Sequence, residues 1–479
     1  MKKQLIVLVG FIALAIVLRF CSFFPSVINH DESTYLVIAD TLTQGARYWI
    51  DYTDTKPVGI FTLLAVFQML IGKSIFLFRL FAATTLAVSA FLLYLIQLQW
   101  QQKAQVGIAS GVIYLIINSL YTFYGMSPNT ETFFNLFILI GLYLILRRRG
   151  GLEYWLAGLS IGYAFLIKYV VLFDVFAFGI FLLLEALRQK QAWQIFLGRA
   201  LLLSFGFLLP FGIFFTYYWS IGAEDTAWFY TAIVSGRYPK SPDWIHYLKF
   251  PGDFFLRFLP ITIFFFHGLW SKKTKSDLLL FGRIWAGFSL FAVMAPGIAF
   301  GHYFIQFMLP FSFVSAWIFG RNEVDLPNWV NRLFSPKIGY PILGLLLTVN
   351  LFFQYKDFLS KPDYPRLVAQ YLSENLEEDG RIYTGNSSHI IYYLLDQKVP
   401  NKYVHPSLFW QEQHIKALEI DVEAEVAKIK ASAPQFILLK REWADDRLEQ
   451  WIAEQYTLVQ TFDQDKIKIF ERVESVSYD

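Results

Sequence analysis

Long apolar runs separated by short polar segments fill the chain up to about residue 355. A run of about 20 apolar residues is long enough to cross a bilayer as a helix. By this length criterion the pattern predicts about eleven transmembrane helices. They are expected near residues 5–24, 75–98, 104–125, 132–146, 152–168, 169–187, 195–219, 256–270, 278–299, 303–320 and 338–355.

Basic residues between these runs fall on one side of the membrane if every predicted helix crosses it. They are Lys2, Lys3, Arg147, Arg148, Arg149, Arg188, Lys190, Lys272, Lys273, Lys275, Arg321 and Arg332. An excess of Lys and Arg marks the cytoplasmic side. The opposite, outer side then receives the loops 25–74 and 220–255 and everything after residue 356. No small-residue cleavage site follows the first apolar run, so we expect a retained anchor.

Residues 58–71 are apolar but too few to span a bilayer easily, since fewer than about 17 residues span poorly. Counting them as a crossing would invert all later loops and place Arg147–Arg149 outside. We therefore expect an outer-face helix that lies in or dips into the interface. The alternative is an ordinary short span that is compensated elsewhere.

The composition changes near residue 360 to that of a soluble domain. Strand-like runs begin at Arg381 and cover 435–439, and a hairpin is expected from 456–462 and 466–472. Helical patterns at 364–377, 411–431 and 442–453 lie between the strands. The sequence thus predicts two domains, a transmembrane module over residues 1–358 and a soluble α/β domain over 359–479 on the outer side.

The composition supports a polytopic α-helical membrane protein. Of 479 residues, 56% are hydrophobic and only 16% are charged, with a mean hydropathy of +0.43. The net charge of +3 and the lack of a basic stripe argue against nucleic acid as a partner. The single Cys21 excludes an internal disulfide and a multi-cysteine metal site.

A small set of ionisable residues is expected on the outer face close to the bilayer. The set is Asp31, Glu32, Asp51, Asp54, Lys56, Arg79, Glu131, Lys168, Arg237, Lys240, Arg257 and His302. Carboxylates in such a place can act as a general base or hold a divalent cation. Lys and Arg beside them can hold a phosphate. Each residue alone also has a plainer interpretation, as a solvated loop residue or a side chain that reaches the headgroups.

The order of these residues resembles the GT-C superfamily of membrane glycosyltransferases. The similar branch is bacterial and includes protein O-mannosyltransferases and lipid A aminoarabinose transferases. The matching strings cover roughly residues 1–320. They are Asp31–Tyr35, Asp51 through Pro57, Ile71–Ser74 with Arg79, Pro128–Glu131, Ala157–Gly162 with Lys168, and Gly301–Phe304 with Gln306 and Pro310. Val58 follows Pro57 where many relatives carry a second proline.

The resemblance implies a role for each matching residue. Asp31 would be the general base, and Glu32 and Glu131 would orient the acceptor or bind a cation. The lipid phosphate of the donor would contact Lys56, Arg79, Lys168 and Arg237. Further substrate contacts would come from Tyr35, Asp51, Asn129, His302 and Tyr303. The resemblance makes no cofactor certain, and a divalent metal ion on Asp31, Glu32 and Glu131 is left open because relatives differ in needing one.

The implied activity is transfer of a hexosyl or pentosyl unit from a polyprenyl-phosphate donor on the periplasmic face of a bacterial inner membrane, with inversion at the anomeric carbon. The acceptor is a hydroxyl or phosphate of a lipid, a glycan or a protein. Two other hypotheses remain at this point. One is a transporter or flippase for lipid-linked sugars, since charges near hydrocarbon also mark transport routes. The other is an envelope scaffold whose C-terminal domain binds a partner.

Overall fold

The structure is a computed structural model. It describes residues 2–100, 103–147, 150–237, 244–270, 277–298, 300–320, 336–440 and 446–473. Several residues used in the sequence analysis lie outside the described ones. These are Arg148, Arg149, Lys240, Lys272, Lys273, Lys275, Arg321 and Arg332.

The chain divides into two compact units. The first, called here the helical unit, comprises Met1–Phe24, Ile75–Tyr217 and Lys240–Ser360. The second, the mixed unit, comprises Pro25–Ser74, Tyr218–Pro239 and Lys361–Asp479. The loop 25–74 therefore makes one unit with the C-terminal segment. The domain boundary predicted between residues 358 and 359 stays a prediction.

Long apolar helices build the helical unit. They are Lys2–Leu18, Ile75–Gln99, Ala104–Ile117, Thr130–Arg147, Gly151–Ile167, Leu172–Arg188, Trp193–Ser220 up to Tyr217, Trp244–Arg257, Leu259–Trp270, Asp277–Met294, Phe304–Ser315 and Pro336–Gln354. Short 3₁₀ turns at Phe20–Phe23, Thr122–Tyr124, Tyr169–Val171, Gly301–Tyr303 and Ala316–Gly320 and a π turn at Tyr355–Leu359 join them.

Within the described ranges, seven helices are long and apolar enough to cross a membrane, and eight if one bent pair is a single span. The seven are Ile75–Gln99, Thr130–Arg147, Tyr169–Arg188, Trp193–Ser220, Asp277–Met294, Gly301–Gly320 and Lys337–Asn375. The bent pair, Tyr247–Arg257 with Leu259–Trp270, turns by 108°. The expected multi-span helical architecture is confirmed at this coarser count.

Glycines let two of these helices pack backbone to backbone. A Cβ on Gly158 would lie 2.1 Å from the Leu203 carbonyl oxygen, and one on Gly162 would lie 2.3 Å from that of Phe207. Such close approach is the usual role of small residues four apart in membrane helices. The sequence pattern Gly158-x-x-x-Gly162 is thus a packing motif, as its spacing predicts.

A buried carboxylate joins three of the membrane helices. Asp174 is fully buried, and its Oδ1 accepts a hydrogen bond from Trp285 Nε1 at 2.6 Å. Its Oδ2 accepts one from Gln306 Nε2 at 2.5 Å. Polar groups in a membrane interior need such partners, so this group acts as a structural tie.

The mixed unit contains shorter helices and a small sheet. Its helices are His30–Thr43, Gly59–Ile71, Glu224–Trp228, Ser235–Arg237, Tyr364–Asn375, Ile390–Leu394, Pro406–Trp410, Glu412–Leu418, Val422–Ala431 and Asp446–Gln455, with a π turn at Phe229–Val234. The helix Gly59–Ile71 confirms a short helix in the apolar stretch 58–71, and its interfacial location stays a prediction.

Four strands form one sheet in the order β1-β2-β4-β3, namely β1 (Ile382–Tyr383), β2 (Phe436–Leu439), β3 (Tyr456–Phe462) and β4 (Ile467–Arg472). β1 pairs with β2 in parallel, and β4 is antiparallel to both β2 and β3. The strands and the hairpin occur where the alternation and the turn residues predict them. β2 is wholly buried, which fits its continuous apolar run.

Backbone and ionic contacts tie the first loop to the C-terminal segment within the mixed unit. Thr53 N donates to Lys402 O at 2.9 Å. Lys73 forms an ion pair with Asp40 at 2.9 Å and a second with Asp396. The first loop therefore owes part of its conformation to residues more than 300 positions later in the chain.

Candidate functional site

The predicted base lies in the first turn of a capped helix. Asn29 is the N-cap of His30–Thr43, and its Oδ1 accepts from Asp31 N at 3.1 Å. Glu32 Oε1 accepts in return from Asn29 N at 3.3 Å and from Ile28 N at 2.5 Å. This is a capping box, which satisfies backbone N–H groups that no helical carbonyl reaches. The two adjacent carboxylates therefore have different environments, since Glu32 is buried and folded back on the cap.

Asp31 pairs with a lysine from the same loop. Lys56 Nζ lies 3.1 Å from Asp31 Oδ1 and 3.4 Å from Asp54 Oδ1. It also lies 5.3 Å from the centre of the Tyr35 ring, within the range of a cation–π contact. The Lys56 and Asp31 side chains are 17% and 20% exposed, so solvent screens them only in part. The structure thus brings together three residues predicted for the site: Asp31, Lys56 and Tyr35.

Three histidines surround Asp31, two of which sequence reasoning missed. His405 Nε2 lies 4.0 Å from Asp31 Oδ1. The ring centroids of His389 and His405 are 5.5 Å apart, and those of His30 and His389 are 5.9 Å apart. His30 stands beside Asp31 in the sequence, but the other two come from the C-terminal segment. No spacing signal connects residues so distant, and only the fold brings them together.

Burial keeps these imidazoles neutral near pH 7. It lowers the pKa of His405 to about 4, although the Asp31 and Asp54 carboxylates act in the opposite direction. Burial, followed by the other two histidines, holds the pKa of His389 well below its ordinary value. The pKa of His30 is lowered for the same first reason. Asp31 therefore faces neutral imidazoles together with the charged Lys56.

Asp51 and Arg237 contact other partners in the mixed unit. Asp51 forms a salt bridge with Arg47 at 2.9 Å, and the hydrogen bond from Arg47 is the main cause that lowers the pKa of Asp51. Arg237 lies 2.5 Å from Glu419, with both side chains exposed. Neither of these ion pairs involves Asp31 or Lys56.

A second cluster lies in the helical unit and contains four predicted residues. Glu131 is buried and forms an ion pair with Lys168, and its Oε2 accepts from Thr130 Oγ1 at 3.1 Å. Lys168 Nζ also lies 4.1 Å from the centre of the Tyr303 ring, which packs edge-on to His302 at 4.7 Å. This Glu131 cluster thus groups an acid, a lysine, a tyrosine and a histidine, and the role of each in a reaction stays a prediction.

One arginine and an asparagine hold the chain before the Glu131 helix, and a second arginine holds the turn after the first helix. Arg19, which sequence reasoning missed, donates from its buried guanidinium to the carbonyls of Asn118, Gly125 and Met126 at 2.6–2.8 Å. The predicted Asn129 donates to Ser127 O at 3.4 Å. The predicted Arg79 is buried and donates to Ser22 O at 2.7 Å.

The residues proposed for a divalent cation do not fit one. Glu32 Oε1 already accepts two backbone hydrogen bonds, and Asp31 is paired with a lysine. Among the described residues, no group of three or more His, Cys, Asp and Glu side chains is arranged to hold a metal.

Known proteins resemble this chain in part of its sequence and in its fold. A family model described as dolichyl-phosphate-mannose-protein mannosyltransferase matches residues 55–214. A search of curated proteins found no match.

Among solved structures, ArnT from Cupriavidus metallidurans bound to undecaprenyl phosphate is similar, with a TM-score of 0.68, 13% identity and 98% of each chain covered. The same protein in the apo state has a TM-score of 0.67 and 14% sequence identity, with 97% of each chain covered. The archaeal oligosaccharyltransferase AglB from Archaeoglobus fulgidus, in complex with an inhibitory peptide and a dolichol phosphate, has a TM-score of 0.50 and 11% sequence identity. The similarity covers 91% of this chain and 69% of the AglB chain.

These likenesses show the fold. The fold similarity to ArnT extends over nearly the whole chain and not only over residues 1–320. Together with the family-model match over residues 55–214, it supports the resemblance to the GT-C superfamily that the residue order indicated.

Proposed function

We propose that this protein is an inverting membrane glycosyltransferase that takes its sugar from a polyprenyl-phosphate donor. Asp31 acts as general base toward an acceptor hydroxyl. The full proposal includes eleven spans, the bacterial inner membrane as location, and a periplasmic α/β domain over residues 359–479. The observation that carries it is the Asp31–Lys56 pair, 3.1 Å apart at the start of a capped helix.

The pair provides the two charges that the reaction needs. The acceptor oxygen forms a bond to the anomeric carbon while the bond from that carbon to the phosphate oxygen breaks. The acceptor proton passes to the Asp31 carboxylate, and the polyprenyl phosphate leaves with the bonding electrons. A base on one side and a cation on the leaving group stabilise opposite ends of this transition state.

Lys56 is shared in the described structure between Asp31 and Asp54. We infer that a donor phosphate replaces one of these carboxylates as its partner, because an ammonium can serve a phosphate as a point charge. Lys168, Arg79 and Arg237 remain proposed donor contacts, and Glu131 a proposed acceptor-orienting residue. Asp51, Asn129, His302 and Tyr303 remain proposed substrate contacts. For Glu32 we propose the capping role that its contacts indicate.

Asp31→Asn tests the proposal. The purified chain in nanodiscs is given undecaprenyl phosphate carrying mannose, glucose or 4-amino-4-deoxyarabinose, with membranes of a deletion strain as the source of acceptor. We expect kcat to fall by about 10²–10⁴, the usual contribution of general acid–base catalysis. Release of undecaprenyl phosphate and incorporation of sugar are both measured. Asp379→Asn, a change at an exposed carboxylate of the same unit, is the matched control.

The outcomes separate the hypotheses. A phosphate acceptor is largely ionised at neutral pH and needs no base, so full activity in Asp31→Asn would remove Asp31 as base and indicate a phosphate acceptor. Movement of the lipid-linked sugar across the bilayer without any glycosyl product would support the flippase alternative instead.

A further inference from the structure

A backbone hydrogen bond fixes which ring nitrogen of the neutral His405 carries the proton. It is the N-cap of the helix Pro406–Trp410, and its Nδ1 accepts from Ser407 N at 3.2 Å. A backbone N–H can only donate, so this nitrogen carries no proton. The neutral ring therefore holds its proton on Nε2.

That Nε2–H is the atom that faces Asp31. The distance from Nε2 to Asp31 Oδ1 is 4.0 Å, and Lys56 Nζ approaches the same oxygen at 3.1 Å. Hydrogen bonds in unliganded sites are often long and tighten only when substrate is bound. A movement of about 1 Å would bring the His405 contact to normal hydrogen-bond length.

Buried contacts hold the imidazole in place. His389 packs against His405 and is anchored on Thr34, whose Oγ1 lies 2.8 Å from His389 Nε2. Thr34 stands on the same helix as Asp31, one turn further along. The cap at Ser407 and the wall at His389 thus hold the ring from two sides.

We propose that His405 is a positioning residue for Asp31, supplied to the site by the C-terminal segment. It donates from Nε2 to Asp31 Oδ1 and holds the carboxylate while Lys56 turns to the leaving phosphate. A neutral donor suits this task, since a cation beside a carboxylate favours its ionised form and weakens it as a base. The inference rests on the proposed function and gives the C-terminal segment a part in it.

Two substitutions separate the cap from the contact with Asp31. In His405→Asn, the amide oxygen can take the place of Nδ1 and accept from Ser407 N, and Asn is a favoured N-cap. This variant does not reach Asp31. In His405→Gln, the longer amide can place an N–H near the position of Nε2, but the cap is lost.

We expect His405→Asn to melt like the wild type and to lose about tenfold or more in kcat, with KM for the donor little changed. His405→Gln should melt at a lower temperature and retain more kcat than the Asn variant. The pH at which kcat/KM falls on the acid side should move in the Asn variant, because a changed partner alters the basicity of Asp31. If His405 were purely structural, kcat would be higher in His405→Asn, which keeps the cap, than in His405→Gln, which loses it.

Each result has one meaning. Wild-type transfer with unchanged kcat in His405→Asn would overturn this inference and leave the proposed function intact. Absence of transfer by the wild type with all three donors would overturn the proposed function, and this inference with it.

Discussion

At the scale of single residues, Asp31 and Glu32 show that neighbours in sequence can have different tasks. Both carboxylates form an acidic pair after the first apolar run. Their position in the sequence does not distinguish which of them is catalytic. The structure separates them because Glu32 is the third residue of a capped helix and folds back on Asn29. The signal Asn-x-x-Glu was present in the sequence as a capping box.

Glu32→Gln tests this division. Gln can accept the same backbone hydrogen bonds, so we expect nearly unchanged melting and at most a severalfold loss of activity. Glu32→Ala should lose about 0.5–2 kcal/mol, the usual cost of a lost cap. Thermal unfolding and donor turnover are measured on both variants. A loss as large as that of Asp31→Asn in the Gln variant would instead assign the carboxylate charge to catalysis.

The residues that sequence reasoning missed share a physical cause. His389 and His405 carry no local pattern, and their value for the site depends on packing against Asp31 and Thr34, hundreds of positions away. Arg19 is a single basic residue within the first apolar run. Its three carbonyl partners lie about a hundred positions later and could not be inferred from spacing.

At the scale of elements, periodicity and punctuation predicted much of what is observed. The hairpin consists of the strands 456–462 and 467–472. Its turn lies at Asp463–Asp465, and all three residues there have positive φ. One predicted helix, 411–431, is in fact two, Glu412–Leu418 and Val422–Ala431. Glu419 at φ 51° ends the first of them, and a left-handed residue of this kind is common at a helix end.

The glycine pair on Gly151–Ile167 gives a prediction at this scale. In Gly158→Ala the new Cβ would lie 2.1 Å from the Leu203 carbonyl oxygen, so the two helices must separate. We expect a loss of about 1–3 kcal/mol, the usual cost of overpacking, seen as a lower unfolding temperature in detergent.

Gly212→Ala on the partner helix is the matched control, since a Cβ at this position would meet no atom within 4 Å. It should be neutral or slightly stabilising, because alanine is favoured over glycine in a helix by about 0.5–1 kcal/mol. Equal melting of both variants would contradict the backbone-to-backbone contact.

At the scale of the whole molecule, the grouping of the first loop with the C-terminal segment is what the sequence could not predict. The composition change near residue 360 suggests a separate domain, whereas Pro25–Ser74 and Lys361–Asp479 belong to one compact unit. A hydropathy pattern predicts which segments lie outside the bilayer, but it does not predict which of these segments pack against each other. The cluster of His30, His389 and His405, of which His389 is fully buried, is a product of that packing.

This cluster makes the mixed unit sensitive to acid. The ordinary pKa of histidine is about 6.5 in the unfolded chain, and the folded-state pKa of all three is lower, with that of His405 at about 4. Below pH 6.5 the unfolded state therefore binds more protons than the folded state. The free energy of unfolding falls as the pH drops. The carboxylates of Asp31 and Glu32 and the ammonium groups of Lys56 and Lys440 face the cluster and moderate the effect in opposite directions.

We expect the unfolding temperature of the full chain to fall between pH 7 and pH 4.5, by about 2–4 °C for each kcal/mol lost in a unit of this size. His389→Gln, which can still donate to Thr34 but cannot be protonated, should flatten this dependence. His267→Gln, at an exposed histidine of the helical unit, should leave it unchanged. Because protonation would place positive charge in a cluster whose His389 is fully buried, acid should release the C-terminal segment first. Faster amide exchange in residues 382–410 than in the membrane helices at pH 4.5 would show that release, and equal exchange in both would contradict it.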